Sequence, residues 1–210
     1  MIKKHLLALT LVGLISSPTY AADTFTGFGL GVDISSSKYS TFESISFKRT
    51  TGLGLVADYG FDFGGSNFVG IIEAKVKLNK EKILNDRYHH IEDEYSFVSG
   101  HHKVQEKIRF TLSYLQGYRV TDNFLPYVKV GYSSAKLKSE DNFKEVDAQS
   151  TTYDSEYASG KGKGLLYGIG FKYAATKNIE LGAEYARSNV KFKSDKFKKN
   201  TFSINAIYRF

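Results

Sequence analysis

The chain has 210 residues, a formal charge of +7, no cysteine, no tryptophan and two prolines. Without cysteine it draws nothing from disulfides, and so mild a positive charge does not point to nucleic acid. Beyond residue 21 no stretch is long and apolar enough for a membrane helix, which needs about 20 residues, while 19 glycines and 24% charged residues suit a sheet with one apolar and one crowded polar face.

Residues 1–21 read as an export signal. Lys3 and Lys4 form a short positive region, 6–15 is apolar, Pro18 breaks the run, and Thr19, Tyr20 and Ala21 resemble a cleavage site. Cleavage after Ala21 is expected to leave 22–210 as one domain, and loss of the two lysines lowers the charge from +7 to +5.

Eight later segments alternate apolar with small or polar residues, the period of a strand. The first sets Phe28, Leu30, Val32 and Ile34 against Gly29, Gly31 and Asp33. The second sets Leu53, Leu55, Ala57, Tyr59 and Phe61 against Gly54, Val56 and Asp58. The third sets Ile72, Ala74, Val76 and Leu78 against Ile71, Glu73, Lys75 and Lys77, and the fourth sets Ile108, Phe110, Leu112, Tyr114 and Tyr118 against Arg109, Thr111 and Ser113. Val128, Val130 and Tyr132 then oppose Tyr127, Lys129 and Gly131. Leu165, Tyr167, Ile169, Phe171 and Tyr173 oppose Gly168, Gly170 and Lys172. Ile179, Leu181, Ala183 and Tyr185 oppose Glu180, Gly182 and Glu184, and Phe202, Ile204, Ala206, Tyr208 and Phe210 oppose Ser203, Asn205 and Arg209. Each run is about nine to eleven residues, the length of a tilted transmembrane strand.

The connections alternate. Those at 62–67, 121–123 and 174–177 are short; those at 35–51, 79–105, 135–163 and 187–200 are long. An antiparallel meander sends the short turns to one side and the long loops to the other. The predicted fold is all-β: an eight-stranded up-and-down transmembrane barrel with short periplasmic turns and four long extracellular loops.

A soluble barrel carrying a small apolar ligand would show the same alternation with its greasy face inside. Three features favour the membrane form. Glycine is concentrated on the polar face, where a narrow interior needs room for long side chains. That face carries both signs, Asp33, Asp58, Glu73, Glu180 and Glu184 with Lys75, Arg109, Lys129, Lys172 and Arg209, which can pair across a lumen. Phe28, Tyr59, Phe61, Tyr118, Tyr173, Tyr208 and Phe210 gather near the short turns, as an interfacial girdle would.

These residues resemble a known family. Pro126-Tyr127-Val128-Lys129-Val130-Gly131, Gly168-Ile169-Gly170-Phe171, Asn178-Ile179-Glu180-Leu181 with Glu184-Tyr185, and the ending Tyr208-Arg209-Phe210 are similar to the small outer-membrane β-barrel proteins. That group contains the OmpA transmembrane domain, the OmpX and Ail adhesins and the neisserial opacity proteins. The resemblance spans 22–210 and implies a cell outer-membrane location with loops outside. It implies that Phe210 is read by the outer-membrane assembly machinery. No peptidoglycan-binding domain is expected after the barrel, a departure from full-length OmpA.

Three groups are candidate sites. His89, His90, His101 and His102 lie in the second long connection with Glu92, Asp93 and Glu94 between the pairs. They are the right donor types for zinc or copper, but adjacent strand residues point to opposite faces, so each pair offers one ligand and neither a metal nor a cofactor is expected. Lys38, Lys48 and Arg49 in the first loop and Lys191, Lys193, Lys196, Lys198 and Lys199 in the fourth become neighbours on barrel closure. They form a candidate patch for lipopolysaccharide phosphates or another polyanion. Phe143, Tyr153 and Tyr157 are candidate adhesive contacts in the third loop.

There is no Gly-x-Ser-x-Gly elbow and no His-Glu-x-x-His, so an enzyme is not expected. The expected role is a monomeric surface barrel acting in adhesion, serum resistance or envelope integrity. Its partners would be outer-membrane lipids and a host-surface or serum ligand. A narrow pore and a soluble periplasmic binder are the alternatives.

Overall fold

The computed structural model describes residues 24–41, 49–78, 81–93, 96–147, 150–192 and 195–210. Residues 1–21, and with them the expected signal, lie outside this set. Among the described residues nine strands are formed: β1 (Gly27–Thr41), β2 (Thr50–Asp62), β3 (Phe68–Lys77), β4 (Glu81–Asp93), β5 (Ser96–Tyr118), β6 (Phe124–Asp147), β7 (Ser150–Ala174), β8 (Ile179–Phe192) and β9 (Asp195–Arg209). All neighbours are antiparallel, and β1 pairs with β9 while β3 pairs with β5, so eight strands close a barrel. The ninth, β4, pairs with β5 above the barrel wall. Closure removes the free edges that would otherwise expose backbone polar groups to lipid.

The orientation of the wall follows from side-chain exposure. Val130, Ile169 and Ile204 are 57%, 63% and 56% exposed, whereas Glu73, Lys129 and Lys172 are 1%, 2% and 0% exposed. A water-soluble barrel needs the reverse, so the soluble reading is set aside. The outward face is apolar on every wall strand, and lipid is the solvent that makes this arrangement favourable.

Aromatic rings cluster at the short-turn end: Phe28 stacks on Phe210 with centroids 6.0 Å apart, Tyr208 meets Phe210 at 5.1 Å, Phe68 meets Tyr118 at 5.2 Å and Phe124 meets Phe171 at 5.6 Å. The last residue also closes the backbone, since the Phe210 amide donates to the Phe28 carbonyl at 2.9 Å.

Where described, the long connections are largely paired strand rather than the expected loop. β5, β6 and β7 run 23, 24 and 25 residues without a break, and the β6–β7 register is continuous from Phe124↔Tyr173 to Asp147↔Ser150. At about 3.3 Å per residue, such strands are far longer than a bilayer requires. Pairing continues through 136–147 and 150–162 although these residues are largely polar, because cross-strand hydrogen bonds do not depend on which residues face lipid. With β4 these extensions make a four-stranded sheet, ordered β4-β5-β6-β7, that projects beyond the apolar wall.

Candidate functional site

The lumen is packed in layers. At the short-turn end, Phe25, Val69, Ile71, Leu115, Leu125, Tyr127 and Ala174 form an apolar cluster. Phe25 precedes β1 and folds in under the barrel with φ of 72°. Its carbonyl lies against Gly60, where a Cβ would sit 1.9 Å from the oxygen, so only glycine admits this segment.

Beside the cluster, Asp58 and Glu180 face Lys172 and Arg209. Lys172 bonds Asp58 and lies 3.4 Å from Glu180. Arg209 bonds Glu180, donates to Asp58 at 3.0 Å, and reaches the Gly27 carbonyl at 2.8 Å. In the middle, Lys129 donates to Glu73 at 2.6 Å and to Glu184 at 2.9 Å, and Lys75 donates to Glu184 at 2.8 Å and to Asp33 at 3.3 Å. The Tyr127 hydroxyl donates to Glu184 at 3.0 Å. At this depth charges are tolerable only because each meets opposite charge at hydrogen-bond distance.

A third layer lies toward the long-hairpin end, and sequence reasoning missed most of it. Arg109 grips Glu106 with two bonds of 2.7 and 2.6 Å, and also donates to Ser133 at 3.0 Å and to the Tyr39 hydroxyl at 3.2 Å. Tyr39 in turn bonds Glu106. Residues three apart on a strand should face opposite sides. A β-bulge between Glu106 and Ile108 reverses the alternation, so Glu106 and Arg109 both turn inward while Lys107 and Ile108 are both exposed. The only signal in the sequence was the break in alternation itself. Lys199, expected on the outer surface, is instead 2% exposed, 3.6 Å from Glu106 and 4.8 Å above the Tyr39 ring. The β9 parity puts it on the same inward face as Ser203, Asn205 and Arg209, so it leaves the proposed surface patch. Between the middle and upper layers a cavity of about 60 Å³ remains, lined in part by Asp33, Lys75, Arg109, Glu184 and Lys199; this is room for a few water molecules.

The other described basic candidates share one rim: Lys38 is on β1, Lys196 and Lys198 are on the adjoining β9, Lys191 is on β8, and Arg49 immediately precedes β2. Lys38 and Arg49 are exposed and Lys198 is half-buried. Register sets Ser40 opposite Lys198 and Lys191 opposite Lys196. Lys48 and Lys193 lie outside the described residues. The histidines are on the β4–β5 ribbon, where Arg87 pairs with His101, Asp86 with His102, His89 with Ser99 and His90 with Val98. No histidine is thus set opposite another.

On the projecting sheet Tyr153 and Tyr157 are 72% and 62% exposed. Lys144 lies 5.5 Å from the Tyr153 ring centre and Lys138 4.9 Å from that of Tyr157. Glu140 accepts from Lys138 at 2.6 Å and from Lys103 at 3.3 Å. The Lys138 hydrogen bond, then that of Lys103, holds its carboxyl below the ordinary range. The outer face of the sheet is therefore a lattice of lysines interleaved with open tyrosine rings.

A family described as outer membrane protein beta-barrel domain matches residues 7–210. Among solved structures, that of Ail, the attachment invasion locus protein of Yersinia pestis, is similar at 18% identity, covering 88% of this chain and 99% of that one, with a TM-score of 0.53. The same protein in complex with the heparin analogue sucrose octasulfate gives 18% identity, coverage of 88% and 100%, and a TM-score of 0.51. Among curated proteins none matches the sequence.

Proposed function

Because the chain belongs to the outer membrane protein beta-barrel domain family, we propose that it is a surface barrel whose long-hairpin end faces outside the cell and binds polyanions of a host surface. Residues 1–21 would serve as the export signal. The carrying observation is the outer face of the β6–β7 extension, where two lysines stand over two exposed tyrosine rings. Lysine supplies charge for sulfate or phosphate groups, and an open tyrosine ring packs against a sugar at small entropic cost. A continuous ribbon carries these groups clear of the lipid and holds them in register. The sulfated ligand held by Ail of Yersinia pestis supports the ligand class. The filled lumen favours an anchor over a passage for solutes, since a narrow eight-stranded interior leaves little room once side chains occupy it. No step of this role requires catalysis.

The test shortens the ribbon without touching the wall. Residues 138–159 are removed and Leu137 is joined to Gly160, its register partner, through an Asn-Gly turn. Retained heparin and adherent host cells are measured with the barrel's folding confirmed by gel mobility. Binding is expected to fall by roughly tenfold or more, the scale of losing several charge and ring contacts. A folded, shortened barrel that binds like the parent would refute the reading.

A further inference from the structure

Below the projecting sheet, on the lipid-facing side of the wall, the structure carries four lysines outside the sites described so far. Lys107, Lys136, Lys161 and Lys163 are all exposed and belong to three adjacent strands, β5, β6 and β7. Register sets Lys136 directly opposite Lys161, with Ile108 on its other side and Ser134 opposite Lys163. The β5 bulge adds Lys107 by turning it outward beside Ile108. Two lysines directly opposite one another on one face repel, and Lys163 is set against a further lysine, Lys191, across β7–β8. Among the described residues none of the four pairs with a carboxylate. The nearest acidic group on that face, Glu140, is engaged by Lys138 and Lys103. A folded protein keeps such a row at a cost unless an anion sits among its members.

The position of the row says which anion. Immediately toward the short-turn end, Ile108, Tyr132 and Leu165 are 52%, 49% and 69% exposed and form the upper margin of the apolar wall. Lys163 and Lys161 lie two and four residues beyond Leu165, roughly 5–10 Å above it on a tilted strand. That is the headgroup level of a bilayer. There Lys107, Lys136 and Lys161, with Lys138, line a groove of about 430 Å³ that also includes Leu137, Ser159 and Gly160, and Lys163 stands two residues below Lys161 on the same face. Ser159, small and on the same face as the lysines, leaves space between their stems, and the stems can lie on the apolar margin while the ammonium groups reach outward.

We propose that Lys107, Lys136, Lys161 and Lys163 form a lateral site for the phosphate groups of an outer-leaflet glycolipid. This rests on the outward orientation of the long hairpins, and not on the polyanion contacts of Tyr153 and Tyr157. The site fixes the depth of the barrel and tethers lipid around it, because basic groups at headgroup level bind anionic lipid heads.

The full chain is refolded in detergent, and retained lipid is counted by native mass spectrometry after exposure to bis-phosphorylated lipid A or to its dephosphorylated form. The parent is expected to retain the phosphorylated form roughly tenfold better. The quadruple variant Lys→Gln at 107, 136, 161 and 163 is expected to lose that preference, and the quadruple Lys→Arg variant to keep it, with gel mobility showing that each is folded. Equal retention of both lipids by the parent, or an unchanged preference in the folded glutamine variant, would overturn the proposal. A parallel arm adds sodium pyrophosphate to the lipid mixture. Displacement of the lipid only at large excess supports a lipid site; displacement at equal concentration shows a site for soluble phosphate and overturns the lipid assignment. The shortened ribbon of the preceding section keeps all four lysines, so failure of heparin binding and failure of lipid retention are separable.

Discussion

Replacing Lys129 by methionine tests the middle layer of the lumen. Three carboxylates, Asp33, Glu73 and Glu184, share two lysines there. Glu184 keeps Lys75 at 2.8 Å and Tyr127 at 3.0 Å after the change. Glu73 does not fare as well: its 2.6 Å partner is gone and Lys75 remains only at 3.7 Å. Removing one member of a buried, hydrogen-bonded pair costs about 3–5 kcal/mol, and most of that loss belongs to the stranded Glu73. Converting Glu73 to Gln in the same chain removes the stranded charge, so Lys129→Met with Glu73→Gln should recover about 2–3 kcal/mol relative to the sum of the single changes. The assay is equilibrium urea unfolding in phospholipid vesicles, scored by the gel mobility of unboiled samples and fitted by linear extrapolation. The reasoning fails if Lys129→Met unfolds within about 0.5 kcal/mol of the parent, or if the two changes add within that margin.

Two further outcomes follow from the ends of the lumen. Glu106→Ala strips Arg109 of both carboxylate bonds and should destabilise the barrel by about 3 kcal/mol; Glu106→Ala with Arg109→Ala should open the upper layer, raising ion conductance in planar bilayers above the parent's, and an unchanged current would show that this layer is not the constriction. Gly60→Ala forces a methyl against the Phe25 carbonyl and should cost about 1–3 kcal/mol, with protease cleavage near residue 25 accelerating as the segment leaves; equal stability and equal cleavage would mean the segment is not seated there.

Alternation made the wall legible. A period of two in residues such as Ile72, Ala74 and Val76 against Glu73 and Lys75 sorted side chains to two faces before any fold was known, because a strand admits only two directions. The excess of glycine and mixed charge on one face then named it as the interior of a narrow tube. Length of the projecting strands was not legible in the same way: in 136–147 and 150–162 neither face is apolar, so hydropathy carries no period, yet the backbone goes on pairing. The histidines formed a group by closeness in sequence, and sheet register, which depends on both partners, sets none of the four opposite another. The rim lysines were grouped by barrel closure; strand parity takes Lys199 out of that group, while register keeps Lys191 opposite Lys196.

Local pattern thus determined that the chain makes strands, how many cross the wall, which face meets lipid, and which charges share the inside. Tertiary structure alone decided who pairs with whom. Glu106 joins Arg109 because a bulge shifts the alternation, Lys199 turns inward to Glu106, and Lys136 meets Lys161 through the β6–β7 register. The physical reason is that facing is a property of one strand, whereas a contact is a property of two strands and the closure that aligns them.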